Sequence, residues 1–356
     1  MSRTDVAPGG TSLSPEQHLD TEAFRALSLR GALLAVPTLT LHRFWGRSET
    51  RRWLWDATDL GGDPLDYGGS GGELLAGFLI KWLVIGGCLL GAWTSLQAMG
   101  AWGAPLIVLL VAGAVYAHGF TRFAGFVYLA SRTAWRGEMF EVEGSPVAFA
   151  ARELRDAALM VVTAGWWAPR AQRARTAALW GGLRHPGARL GFDAGAAGRE
   201  PLYSAFAIGW FASVMILLFI AGVMLGLASG FFPTPDVGAA PSVGQLAALA
   251  LLLAGLWVLL RAAWAPYCEA TRAATAAGFH LRLRRDEKAA ARAALTDGAI
   301  LAGSLGLLAP WVAARKSARL FAALSNRGEP ARLSVDAERA SLRTRGETHA
   351  IHAADL

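Results

Sequence analysis

Apolar residues along this chain fall into long and short runs, separated by polar segments rich in arginine. Four runs are long enough to cross a bilayer, which takes about 20 apolar residues in a helix. They occupy residues 74–98, 105–130, 202–229 and 244–266. The pattern therefore predicts an all-α polytopic membrane protein with four full spans, arranged as two helical hairpins.

Three further apolar runs, residues 26–41, 156–169 and 294–311, are shorter and contain glycine or proline. These residues would break a helix near the end of each run. A helix too short to cross can enter and leave the bilayer on one side, or lie on its surface. We therefore predict three short re-entrant or interfacial helices in addition to the four spans.

The charges between the apolar runs predict the orientation of the chain. Connectors 99–104 and 230–243 contain no lysine or arginine, whereas every other segment between spans contains at least four. Positive residues favour the cytoplasmic side, so both connectors are expected outside and both termini in the cytoplasm. The alternative is that the short runs also span, which gives seven crossings and places some arginine-rich segments outside.

Short stretches of alternating or strand-like sequence lie between the helices. We expect small cytoplasmic β elements there, able to pair into one small sheet beneath the helices. They are centred on residues 64–68, 138–143, 188–193, 279–285 and 331–335.

The same order of features returns along the chain: a short apolar helix, a tryptophan at its end, a basic helix and a small strand. This recurrence predicts two tandem membrane units, residues 26–155 and 156–293, and a truncated third unit, residues 294–335. The polar ends, residues 1–25 and 336–356, are expected to form a disordered leader and a disordered tail.

Composition supports the membrane class. The 356 residues are 54% hydrophobic and 17% charged, with a formal charge of +7 carried mostly by arginine. Arginine beside apolar spans suits a bilayer with anionic lipids better than nucleic acid, which we do not expect as a partner. Cys88 and Cys268 are far apart in sequence, so neither a disulfide framework nor a four-ligand zinc site is expected.

Most of residues 28–335 carry a resemblance to a known family, which is most specific over residues 38–75. The residues concerned are Thr38-Leu39-Thr40-Leu41, Arg43-Phe44-Trp45, Arg51-Arg52-Trp53, Tyr67 to Leu74, and Trp135-Arg136-Gly137 with Phe140 and Gly144; Trp167-Ala168-Pro169 follows the same pattern. The sequence resembles the YjgN, or DUF898, family of bacterial inner-membrane proteins. The resemblance implies a multi-pass protein of the inner membrane with repeated architecture. It departs at Leu179-Trp180, where an Arg-Tyr pair would be expected.

The clusters of arginine and tryptophan are candidates for a site that binds lipid or another anion. Guanidinium groups bind phosphate, and indole rings favour the membrane interface. The ordinary positive-inside signal and aromatic belt would explain the same residues without a ligand. The candidate lipid- or anion-binding residues are Arg43, Arg47, Arg51, Arg52, Arg170, Arg173, Arg175, Arg315 and Lys316, and the candidate interfacial anchors are Trp45, Trp53, Trp167 and Trp311.

The sequence YGGSGGE, residues 67–73, invites comparison with phosphate-binding loops. Its spacing matches neither a P-loop nor a dinucleotide fingerprint, and Glu73 would repel an anion. We interpret it as a turn at the membrane surface, in which Gly68, Gly69, Gly71 and Gly72 act as a hinge.

No constellation predicts catalysis, a cofactor or a metal site, so an enzyme is not expected. Lys81, His118 and Arg122 are ionisable residues within the spans, and no acidic residue accompanies them at depth, so a proton relay is not expected either. Two classes of function remain. Internal repeats and broken helices favour a small-solute channel or transporter. The alternative is a scaffold or lipid-binding subunit of a larger membrane complex, with a membrane-protein partner or as a homo-oligomer.

Overall fold

The computed structural model describes residues 10–13, 15–35, 37–38, 41–186, 189–229, 242–325 and 333–336. The described chain is mostly helical. Its helices are α1 Thr21–Ala35, α2 Arg43–Asp56, α3 Gly71–Met99, α4 Ala104–Ser131, α5 Pro146–Val162, α6 Ala168–Trp180, α7 Ala194–Gly198, α8 Tyr203–Ala228, α9 Val243–Gly278, α10 Glu287–Gly303 and α11 Ala309–Ala323.

Three stretches are long and apolar enough to cross a membrane: Gly71–Ser131, Tyr203–Gly226 and Val243–Gly278. The first is interrupted by a 3₁₀ turn at Gly100–Gly103, where Gly100 has a φ of 53°, and this turn separates α3 from α4. Helix α3 packs against α4, and α8 packs against α9. The four long helices thus form two hairpins at the predicted positions. Most of the predicted connector 230–243 lies outside the described residues.

The short helices form three helical arms, each a pair of helices joined by a turn. The first arm is α1 with α2, the second is α5 with α6, and the third is α10 with α11. Helix α5 packs on α4, α10 packs on α9, and α1 packs on α11. The second arm therefore packs on the first hairpin and the third arm on the second hairpin, while the first and third arms contact each other.

The turns of the three arms share a register. The hydroxyl oxygens of Thr38, Thr163 and Ser304 each accept a hydrogen bond from the backbone N–H four residues later, at 3.1, 3.0 and 3.3 Å. In every case the next helix begins one residue beyond that N–H. In the second and third arms the two residues after the hydroxyl have positive φ, and the second of them is glycine, which tolerates that conformation.

The short helices begin earlier than the apolar runs suggest. Helix α5 begins at Pro146, ten residues before the predicted run, because Ser145 caps it and because Phe149, Ala150, Glu153 and Asp156 form one buried face. An amphipathic first half conceals a helix from a search for continuous apolar runs. The unit boundaries predicted at 25/26, 155/156 and 293/294 consequently fall inside α1, α5 and α10.

Strands lie in all five places where strand-like sequence occurs, but they do not form one sheet. The twelve described strands are β1 Gly10–Leu13, β2 Pro15–Gln17, β3 Thr58–Leu60, β4 Asp63–Tyr67, β5 Thr133–Trp135, β6 Glu138–Met139, β7 Glu141–Val142, β8 Leu183–Arg184, β9 Arg189–Leu190, β10 Arg282–Leu283, β11 Leu324–Ser325 and β12 Leu333–Asp336. They are divided among four sheets, ordered β2-β3-β4-β5-β6, β1-β12-β9, β7-β8 and β10-β11.

The predicted disordered leader contains ordered structure in its described part. Strand β1 pairs with β12 near the other end of the chain, and β2 pairs with β3. The side chain of Gln17 in β2 donates a hydrogen bond to Ser317 in α11 at 2.9 Å. Nearly all of the predicted C-terminal tail lies outside the described residues.

Candidate functional site in the helical arms

The second arm contains a buried ion pair. Arg175 on α6 donates two hydrogen bonds to the carboxylate of Glu153 on α5, at 2.8 and 2.9 Å. A guanidinium and a carboxylate paired in this two-pronged way form a strong and directional contact. Arg122 of α4 lies 4.0 Å from the same carboxylate. Glu153 of α5 therefore contacts both α6 and α4, and links the second arm to the first hairpin.

One turn further along α5, Asp156 is only 1% exposed. The indole N–H of Trp167 donates a hydrogen bond to its Oδ1 at 3.2 Å, and Arg155 approaches the same oxygen at 2.8 Å. The other oxygen, Oδ2, is buried and has no hydrogen-bond partner. A carboxylate in this position is costly, because burial opposes its charge and one oxygen is left unpaired.

The third arm has a carboxylate at the same place. Asp297 on α10 is also 1% exposed, and it lies seven residues before Ser304, as Asp156 lies seven before Thr163. Arg319 of α11 forms an ion pair with its Oδ2, and the Nε of Arg315 lies 3.8 Å from its Oδ1. Helix α10 meets α9 here, with Gly298 against Val258.

The first arm lacks these charges. Counted from Thr38, Gly31 occupies the position of Asp156, and Ser28 occupies the position of Glu153. Thr50 stands where the second arm has Arg175 and the third has Lys316. Ser28 and Thr50 are both buried. Acid and base are therefore absent together at these positions of the first arm.

The candidate basic residues of the first arm lie on α2 and are mostly engaged by the protein itself. Arg43 lies over the ring of Phe78 at 5.2 Å. Arg51 donates a hydrogen bond to the Tyr67 hydroxyl at 3.1 Å, and Arg52 approaches the backbone oxygen of Gly69 at 3.4 Å. Burial, followed by the charges of Arg51 and Arg43, lowers the pKa of Arg47.

The remaining candidates divide between α6 and α11. Arg170 lies over the Trp167 ring at 5.1 Å, and Arg173 donates to the backbone oxygen of Glu200 at 2.7 Å. Arg173 also lines a small recess with Gln172, Thr176 and Thr271. The structure thus places the nine candidates on three separate arm helices, and Arg175 and Arg315 come together with the buried carboxylates.

The four tryptophan anchors have different surroundings. Trp53 stacks on Phe24 with ring centres 4.3 Å apart, which joins α2 to α1. Trp45 packs against Gly71, and Trp167 donates its indole hydrogen bond to Asp156. Trp311 lies beneath the guanidinium of Arg315, 5.2 Å away. Each ring therefore has a packing role inside the chain, in addition to any contact with lipid.

The glycine-rich motif is held from several sides. Ser70 caps α3 together with Glu73, whose carboxylate also accepts a hydrogen bond from Tyr128 at 2.9 Å. A Cβ atom at Gly71 would lie 2.7 Å from the Trp45 side chain, and one at Gly69 would collide with the Tyr67 hydroxyl. Close packing therefore explains why Gly69 and Gly71 have no room for a side chain. The hinge remains a prediction, most plainly for Gly68 and Gly72, which face open space.

A model of a bacterial protein family of unknown function, DUF898, matches residues 20–350. The chain belongs to the DUF898 family. No curated protein and no solved structure matches it. The match covers both hairpins and all three arms, so the arms and their charges are part of the DUF898 region.

The buried acids of this DUF898 chain were not predicted from its sequence. The four long apolar runs contain no acidic residue, but the arms bring Glu153 and Asp297 against α4 and α9. Asp156 and Asp297 each lie seven residues before a Thr or Ser, in segments rich in alanine and leucine, and this spacing could have indicated them. Among the described residues, no three His, Cys, Asp or Glu side chains converge as a metal site would require.

Proposed function

We propose that this DUF898 chain is a multi-pass protein of the bacterial inner membrane, with α3, α4, α8 and the first part of α9 as spans and both termini in the cytoplasm. The absence of lysine and arginine from residues 99–104 and 230–243 supports this orientation. The turns of the arms would dip into the bilayer. Their apolar tips support this placement: Leu33, Val161 and Leu305 are 74%, 83% and 91% exposed.

The chain is, on this proposal, built from tandem repeats. The shared register of Thr38, Thr163 and Ser304 supports the repeats, as does the matched position of Asp156 and Asp297. A repeat unit then begins at the start of an arm, near residues 21, 146 and 287, and continues through the hairpin that follows. The third unit ends after its arm.

The function we propose is non-enzymatic passage of a small solute, through a channel or by transport. One observation carries it: two carboxylates, Asp156 and Asp297, are buried at the same position of two membrane-dipping arms, each beside arginine. Ionisable groups at membrane depth are costly and commonly mark a solute or ion pathway. Tandem units with broken helices are also typical of transporter folds.

Reconstituted protein tests this function. Vesicles containing the wild-type chain should lose entrapped protons, potassium or chloride faster than vesicles without protein. Replacing both acids, Asp156→Asn with Asp297→Asn, should slow that loss by about ten-fold or more, as expected when a charged group in the pathway is neutralised. Glu138→Gln with Glu141→Gln, which neutralises two exposed acids of β6 and β7, is the matched control. Wild-type vesicles as tight as empty ones for all three ions would refute the proposal.

A scaffold or lipid-binding subunit is the second candidate. The observation in its favour is that at most 6% of the residues in the most apolar window of each candidate span are buried within the chain. Many apolar side chains of the hairpins therefore face outward, to lipid or to a membrane-protein partner, including a second copy. Cross-linking in membranes through Trp93 or Leu217, both exposed, would detect such a neighbour.

A further inference from the structure

The charges around the third arm are unbalanced. Asp297 is the buried carboxylate there, and Arg315 and Arg319 already approach it from α11. Two more cations lie close by, Lys316 on α11 and Arg261 on α9. Burial, and then the charge of Arg261, lowers the pKa of Lys316, and Arg272 and Arg319 lower it further while Asp297 raises it. Four cations, which we call the α11 cluster, thus lie together, and only two of them contact the carboxylate: Arg261, Arg315, Lys316 and Arg319.

Arg261 and Lys316 have no acidic partner in the described part of the chain. The guanidinium of Arg261 lies over the Trp257 ring at 4.8 Å, and its Nε is buried without a hydrogen-bond acceptor. Lys316 takes part in no ion pair among the described residues, although it is half-buried. A partly buried cation without an anion raises the free energy of the folded chain. An external anion would remove that cost.

The second arm provides the contrast. There Arg122, Arg155 and Arg175 face Glu153 and Asp156, and each arginine lies within 4.0 Å of a carboxylate. Nothing in that cluster calls for an outside anion. The difference between the two arms lies in the residues themselves, because Ala294 stands in the third arm where the second has Glu153.

Apolar surface adjoins the α11 cluster. The ring of Trp257, over which the Arg261 guanidinium lies, is 41% exposed. Leu305, at the tip of the arm, exposes 91% of its surface. A phosphate beside such a surface, with cations on one side and apolar side chains on the other, matches the chemistry of a phospholipid, in which a charged headgroup adjoins acyl chains.

We propose that the α11 cluster binds the phosphate of an anionic phospholipid. Arg261 and Lys316 supply the uncompensated charge, and Arg315 and Arg319 hold Asp297 while adding donors toward the same phosphate. Guanidinium groups suit this role because their N–H donors match phosphate oxygens in pairs. The proposal rests on the membrane placement proposed above and is independent of solute passage.

Lipid binding by the purified full-length chain tests this. The protein, in a zwitterionic detergent with phosphatidylcholine, is titrated with phosphatidylglycerol, and bound lipid is counted by native mass spectrometry alongside the unfolding temperature. We expect phosphatidylglycerol to bind and stabilise the wild type. Arg261→Gln with Lys316→Gln should weaken that binding by about ten-fold or more, as expected for the loss of two charge-assisted contacts. Lys316→Arg should retain it.

The control removes the same charge elsewhere. Lys288→Gln with Arg292→Gln alters two exposed cations of α10, outside the α11 cluster, and should leave lipid binding within about two-fold of wild type, since neither is a buried cation. Equal binding by wild type and the Arg261/Lys316 variant would overturn the proposal. Stabilisation by inorganic phosphate equal to that by lipid would assign the site to a soluble anion and overturn the lipid assignment.

Failure of the membrane placement would look different. A chain released from bacterial membranes by carbonate, without detergent, would refute that placement. A chain that needs detergent for release yet ignores phosphatidylglycerol would refute only the lipid site. Should Arg261→Gln prevent folding, Lys316→Gln alone, compared with Lys316→Arg, still decides the question.

Discussion

Arg175 holds both carboxylate oxygens of Glu153, and the first arm has a pair of hydroxyl residues, Ser28 and Thr50, in their place. Removing one member of a buried ion pair leaves the other charged and unpaired, which costs about 3–5 kcal/mol. We therefore expect Glu153→Ser and Arg175→Thr each to lower the unfolding temperature strongly. The double variant, which copies the first arm, should be more stable than either single variant.

Thermal unfolding of the four proteins in detergent, followed by tryptophan fluorescence, measures this coupling. The singles and the double form a cycle that isolates the pairwise term. Losses that simply add in the double variant would contradict a paired role for the two residues, and would favour independent packing of each side chain.

Glycine at position 71 is expected to be required for packing. A Cβ atom there would lie within 2.9 Å of both the backbone and the ring of Trp45, so Gly71→Ala forces α2 away from α3. Such overpacking costs about 1–3 kcal/mol. Gly72→Ala has nothing within 4 Å and, on an exposed helix turn, should be neutral or gain up to about 1 kcal/mol.

Denaturation midpoints of the two variants distinguish packing from a hinge. If both glycines act as a hinge, Gly72→Ala should also slow solute passage in the vesicle assay, while its stability is unchanged or higher. Equal destabilisation by both substitutions would contradict the close contact with Trp45.

The tips of the arms are expected to be shielded from the outside. In a variant with Cys88 and Cys268 replaced by alanine, single cysteines are introduced at Trp102, Val161 and Leu305, all of which are highly exposed in the chain. A membrane-impermeant maleimide added outside should label position 102, between α3 and α4, and leave 161 and 305 unlabelled. External labelling at 305 would favour the seven-crossing alternative.

His185 is expected to make stability depend on pH. Its Nε2 lies 3.2 Å from the backbone oxygen of Trp135, and its ring packs on Phe140 with centres 4.8 Å apart. Burial lowers the pKa of His185 below its ordinary value of 6.5, against the raising effect of hydrogen bonds to the backbone of Trp135 and Glu138. The unfolded chain therefore binds the proton more readily, so stability is complete above pH 6.5 and falls as the pH drops below it.

Unfolding temperatures measured from about pH 7 to pH 5 check the sign. His185→Gln keeps a donor for the carbonyl and removes the titration, so its unfolding temperature should decline less over this range than that of the wild type. A wild-type protein that becomes more stable as the pH falls through 6.5 would contradict the inferred direction.

Continuous apolar runs were sufficient to locate all four long helices, because length and hydropathy are local properties of the sequence. They were insufficient for α5 and α10, whose first halves are amphipathic and whose helical starts depend on the caps Ser145 and Asp286. Strand-like sequence predicted the positions of β4, β6, β7, β9, β10 and β12, whereas the other six described strands were not predicted. The strand partners did not follow from local sequence, since pairing β1 with β12 joins residues more than 300 positions apart.

Some basic and aromatic residues around the buried acids were named as candidates from the sequence, but the acids themselves were not. Arginine and tryptophan stand out in composition, and Arg175, Arg315 and Trp167 indeed surround the buried acids. Glu153 and Asp297 did not stand out, because a single acid in a polar or alanine-rich segment looks solvated until a neighbouring helix covers it. Which cations remain uncompensated depends on tertiary contacts that no local pattern records.

The contact between Gln17 and Ser317 has a consequence for synthesis. Helix α1 of the first arm packs on α11 of the third arm, and β1 pairs with β12. Chains emerge from the ribosome beginning at the N-terminus, and domains generally fold in that order. Helix α1 therefore completes its packing only after the third arm, about 300 residues later in the chain, has been synthesised.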